Sequence, residues 1–160
     1  MEYIHVNDII FKGKQNIRWD QVEKYISKYF GRKILVREYQ DLIQINYAFA
    51  SEFAGSKYTE HLHGGLAKTK ANIVQVIPEL IENATNRRWN ENHKPKHNKN
   101  ACKGWYRYDV FFSIPVKDEQ EVELRRNYYK ATMIVRWNDE GLFLHDIINI
   151  KKETRTPRES

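Results

Sequence analysis

The run Trp105-Tyr-Arg-Tyr-Asp-Val-Phe-Phe-Ser-Ile114 alternates. Tyr106, Tyr108, Val110, Phe112 and Ile114 fall on one side of an extended chain, with Arg107, Asp109 and Ser113 on the other, which is the two-residue period of a strand buried on one face. After a turn over residues 115–120, residues 121–137 read as one long or two broken strands. Asn138-Asp-Glu-Gly141 reads as a turn, and residues 142–150 as a last strand with Leu144, Ile148 and Ile150 aligned. Consecutive strands joined by short turns predict an antiparallel three-strand meander at the C-terminal end.

Upstream the pattern changes. Residues 3–11 read as a short strand, and Asp20-Gln-Val-Glu23 as a capping box that opens a helix carrying Val22, Tyr25, Ile26, Tyr29 and Phe30, with Gly31 as its stop. Residues 33–38 are strand-like. In residues 42–49, Ile43, Ile45, Tyr47 and Phe49 share a face, so a second strand is expected there, joined to the first by a hairpin through Tyr39-Gln-Asp41. Residues 66–84 place Ile73, Val74, Ile77, Leu80, Ile81 and Ala84 on one helical face, but Pro78 cannot donate the helical hydrogen bond, so two short helices are expected. Residues 86–103 show no periodicity and predict a long mobile loop. The fold class expected is α+β: helices packed on a mainly antiparallel twisted sheet, as a single domain over residues 1–150 with a flexible tail over 151–160.

Composition narrows the function. The 160 residues contain a single cysteine, Cys102, which rules out an internal disulfide. No apolar run approaches the ~18 residues of a membrane span, and residues 1–6 lack the order of a secretory signal, so no membrane partner and a cytoplasmic location are expected. Net charge is +6. Residues 87–107 hold seven of the 27 Lys and Arg (Arg87, Arg88, Lys94, Lys96, Lys99, Lys103, Arg107) but only Glu91 of the 21 acids, leaving the rest of the chain neutral. With Trp89 inside this segment and Trp105, Tyr106 and Tyr108 after it, cations for phosphates are interleaved with rings for unpaired bases. A solvated loop without a ligand is the competing reading. His93 and His97 stand four apart with Cys102 nearby, but Pro95 between them argues against a shared helical face, and no metal or other cofactor is expected.

Two further groupings could carry chemistry. In Ser56-Lys-Tyr-Thr-Glu-His-Leu-His-Gly-Gly65, followed by Lys68 and Lys70, proton carriers and cations surround a helix start, the parts that cleavage of RNA by its own 2′-hydroxyl requires. The other is the strand pair bearing Lys130, Thr132 and Arg136 on one side, with His145 and Asp146 on the last strand. Structural roles compete in both.

Ser56-Lys-Tyr-Thr-Glu-His61, Leu66-Ala-Lys-Thr-Lys-Ala71 leading to Ile77-Pro-Glu-Leu-Ile-Glu-Asn-Ala84, Trp105-Tyr-Arg-Tyr108 and Leu144-His-Asp-Ile147 resemble the large polyvalent protein-associated domains of phages and mobile elements, grouped with barnase, EndoU, colicin and RelE-type nuclease folds. The resemblance implies helices on an antiparallel sheet whose open face holds a metal-independent ribonuclease site. It places Lys57 and His61 in the segment before a helix, Tyr106 and Arg107 on the strand after the loop, and Asp146 on the last strand. The expected function is a toxin-like endoribonuclease with His61 as general base or acid, Lys57 and Arg107 stabilising the phosphorane and Tyr106 positioning substrate. Its partners would be RNA and a neutralising or host protein. The alternatives are a non-catalytic module that binds nucleic acid or a host nucleoprotein, such as an inhibitor of a host defence system, and a structural accessory domain.

Overall fold

The computed structural model of the chain describes residues 2–13, 16–91 and 101–154. In chain order its elements are β1 (Ile4–His5), α1 (Trp19–Ile26), a 3-10 turn (Ser27–Tyr29), β2 (Lys33–Val36), β3 (Asp41–Gln44), α2 (Tyr47–Gly55), α3 (Lys57–Glu60), α4 (Gly64–Asn72), a second 3-10 turn (Ile73–Val76), α5 (Ile77–Glu82), β4 (Thr85–Asn90), β5 (Gly104–Lys117), β6 (Glu123–Asn138) and β7 (Gly141–Lys152).

The C-terminal meander forms as its alternation predicts, β5 pairing antiparallel with β6 and β6 with β7. Its outer strands are longer than expected. β5 runs on through Lys117, so the turn is shorter than residues 115–120, and β7 takes in Lys151 and Lys152. Around this meander the described strands line up as β1-β5-β6-β7-β3-β2, with β4 also paired to β5. The class is α+β, but the sheet is mixed and not mainly antiparallel: β1 runs parallel to β5, and β3 parallel to β7. Parallel neighbours need a crossover. The helical half of the chain supplies it, and a local pattern of turns does not reveal it.

Other expectations shift for local reasons. The N-terminal strand is two residues long. The capping box at Asp20 is not made, because α1 begins at Trp19, two residues earlier than such a cap would set it, behind Arg18, which offers no side-chain cap; Asp20 instead binds the Arg18 guanidinium. The expected strand over residues 42–49 stops at Gln44, and Tyr47–Gly55 is helical. The two-residue period misleads there: Ile43 in β3 and Ile45 just after it are buried, whereas Phe49, Ala50 and Phe53 start a helical stripe that is buried. The β2–β3 hairpin forms with Gln40 in the left-handed region (φ 61°). Pro78 opens α5 in the first turn, where its missing N–H costs nothing. The segment expected as a loop starts as strand β4; residues 92–100 lie outside the described residues.

One core joins the layers. Tyr108, Val110 and Phe112 of β5, Tyr129, Ala131, Met133 and Val135 of β6 and Leu144 and Ile147 of β7 pack against Val22, Ile26, Phe49, Phe53, Ile73, Val74, Ile77, Leu80 and Ile81. The helices therefore cover one face of the meander. Much of the other face carries polar and charged side chains. Among the described residues no helix is long and apolar enough to cross a membrane.

Candidate nucleic-acid interface

Side chains that alternate away from the core emerge on the uncovered face. Strand register there sets like charges side by side: Arg88 of β4 is directly opposite Arg107 of β5, and Lys130 of β6 directly opposite Lys151 of β7. Like charges directly opposed on neighbouring strands destabilise a sheet. Asp109 lies between the pairs, 3.1 Å from Arg88 Nη1 and 3.6 Å from Lys130 Nζ. The Asn86 amide donates to the same carboxylate at 2.8 Å. Burial pushes the Asp109 carboxyl up, but the Asn86 hydrogen bond and the Arg88 and Lys130 charges outweigh it and hold the group below the usual carboxylate range.

Two irregularities shape the floor of this site. The β4–β5 register shifts between Thr85 and Arg88, and the β6–β7 register between Lys130 and Thr132; each shift contains an asparagine at φ 53°, Asn86 and Asn149. An extra residue in one strand bends it and re-aims side chains, and asparagine tolerates the left-handed backbone that this needs. Between the bulges lies a concavity of about 230 Å³ lined by Asn86, Arg88, Asp109, Lys130, Thr132, Asn149 and Lys151, with Ala131 at its base.

Toward β1 the face becomes aromatic. Tyr3 meets Phe111 edge-on (centroids 5.6 Å, 70°) and Tyr128 nearly perpendicularly (5.1 Å, 89°). Beyond them His5 Nδ1 lies 2.5 Å from the hydroxyl of buried Ser113, which also accepts from Arg126 Nη1 at 3.0 Å. A hydroxyl can donate to a bare ring nitrogen or accept from a protonated one, so Ser113 fixes the ring while serving either tautomer.

The expected site residues are divided between layers. Arg88 and Arg107 belong to the uncovered face. Tyr106, one residue from Arg107, points the other way, stacked on Trp137 at 5.6 Å. Arg87 is also on that side, over the Tyr39 and Tyr106 rings at 4.5 and 4.9 Å, its guanidinium bound to Asp41, which accepts from Tyr108 as well. Trp89 is half exposed, and Lys103 lies over Trp137 within 3.8 Å of Asp139.

Lys57 and His61 stand in the helical layer at the two ends of α3, where His61 Nδ1–H donates to the Lys57 carbonyl at 2.6 Å. Lys68 lines a different hollow of about 520 Å³ with Lys12 and Lys117. Lys70, expected to meet phosphate, is instead interior: its ammonium donates to Asp146 at 2.8 Å and Thr59 Oγ1 at 2.7 Å, over the Phe53 ring. Asp146, expected at the catalytic centre, is bound up in the same pair. Lys94, Lys96 and Lys99 lie outside the described residues. The sequence reading did not single out Lys151, Asn86, Asn149, Tyr3, His5 or Tyr128, whose meeting depends on strand register and bulges.

Among the described residues no cluster of His, Cys, Asp and Glu is placed to hold a metal ion. No known protein family, curated protein or solved structure matches the chain.

Proposed function

We propose that the protein binds single-stranded RNA across the uncovered face of its meander. The observation that carries this reading is the register itself, which opposes Arg88 to Arg107 and Lys130 to Lys151 around a single shared carboxylate. A sheet that sets cations against each other at a bulge-lined hollow is built to receive an anion, and phosphate oxygens would relieve the repulsion. Neighbouring rings add the second element of single-strand binding. The test is fluorescence anisotropy with a labelled unstructured oligoribonucleotide. Lys130→Glu should weaken binding by roughly ten- to a hundredfold, given roughly 1.5–3 kcal/mol for a hydrogen bond to a charged group. Unchanged affinity would refute the reading.

Metal-independent endoribonuclease activity is the catalytic form of the same reading, and the ring of His5, oriented by Ser113 on that face, favours it. His61 supplies the other candidate proton carrier, in the helical layer. Incubation with RNA in EDTA should give 2′,3′-cyclic phosphate ends with the wild type, and the His5→Ala and His61→Ala variants identify which ring moves the proton. Intact RNA with the wild type leaves the non-catalytic binding module.

A further inference from the structure

Resting on the RNA-binding reading, we propose that Tyr3, Phe111 and Tyr128 form a subsite for one unpaired nucleobase of the strand whose phosphate occupies the Asp109–Lys130 hollow. Register puts the two side by side: Phe111 is directly opposite Lys130, and Tyr128, two residues before Lys130, points to the same face. A two-residue step along a strand is roughly 7 Å, so the cation and the nearest rings are adjacent positions on one surface.

The geometry of the rings fits a slot. Each of the three is half-buried, on the side of its strand opposite the core residues Ile4, Phe112 and Tyr129. Their edge-on contacts at 70° and 89° hold the planes upright against one another, so the rings do not close into a mutual stack and ring surface remains for another plane. His5, whose ring is 6.3 Å from that of Tyr128 at 84°, walls the far end. The charge of the neighbouring hollow selects the occupant: an aromatic plane attached to a phosphodiester meets both halves of the surface, whereas an apolar peptide would leave the lysines unanswered. Stacking on aromatic rings tolerates any base, so the subsite recognises an unpaired base without naming it.

The test compares the full chain's affinity for an oligouridylate and for an abasic ribose-phosphate oligomer of the same length. The subsite predicts that the wild type prefers the base-bearing strand by roughly five- to a hundredfold, the range for one stacked base. Tyr128→Ala should bind both at the abasic level, while Tyr128→Phe, which keeps the ring, should retain the preference. Equal binding of both oligomers by the wild type, still weakened by salt, would overturn the base subsite and leave the phosphate site standing. Failure to bind either oligomer would overturn both. Because the wild-type comparison needs no variant, the proposal stays testable even if Tyr128→Ala does not fold.

Discussion

Asp109 shows how a single residue serves both fold and site. Its carboxylate is the anion shared by Arg88 and Lys130, and its protonation would leave both cations without that counter-charge. A folded-state pKa held down means stability that is present above the ordinary carboxylate pKa and lost as pH falls through the lower, folded value. Asp109→Asn should therefore lower the thermal midpoint at pH 7, and the gap from wild type should close as the solution is acidified below the usual carboxylate range, measured by circular dichroism melts. A gap independent of pH would show that the carboxylate's charge does not matter. The opposed lysines predict the reverse trade: Lys151→Glu should stabilise the fold by up to roughly 1 kcal/mol, at the low end because both groups are solvated, while weakening RNA binding. A variant that loses stability, or keeps full affinity, would contradict the assignment. At this scale the sequence marked Arg88, Arg107, Lys130 and Thr132, because charge and alternation are local properties. It could not show that Lys70 is interior, since nothing in the spacing of Lys68 and Lys70 distinguishes an exposed ammonium from a paired one.

Elements are held together by a second, buried ion pair. Lys70 of α4 reaches Asp146 of β7 with both side chains almost fully excluded from solvent (0% and 3% exposed), and Thr59 of α3 passes the contact on to the Phe53 carbonyl at the end of α2. Burial pushes the Lys70 ammonium down and the Asp146 carboxyl up, each toward its neutral form, while their mutual attraction opposes it. Removing one partner strands a charge inside the protein, so Lys70→Met or Asp146→Asn alone should cost roughly 3–5 kcal/mol. The double replacement should recover much of that, as read from chemical denaturation. Additive losses would mean that the two side chains do not act as a pair. The elements themselves were only partly legible. The meander and the break at Pro78 follow from short-range periodicity and proline chemistry. Residues 47–49 continued a strand's alternation by coincidence, and the parallel partners of β5 and β7 are fixed by packing across the helices, which leaves no trace in local pattern.

For the whole molecule, two faces divide the work. One side of the meander is sealed by the helical layer that carries Lys57, His61 and Lys70; the other presents cations, bulges and rings. The most direct measurement is the salt dependence of affinity for an unstructured oligoribonucleotide, in the wild type and in a Lys130→Glu/Lys151→Glu double variant. Single-strand binding releases counterions with a log–log slope of about −0.7 per phosphate neutralised, so four cations at the face predict a wild-type slope near −3 and a loss of roughly half of it in the variant. An affinity flat in salt, or a slope the two substitutions leave unchanged, would contradict the claim that this face binds nucleic acid.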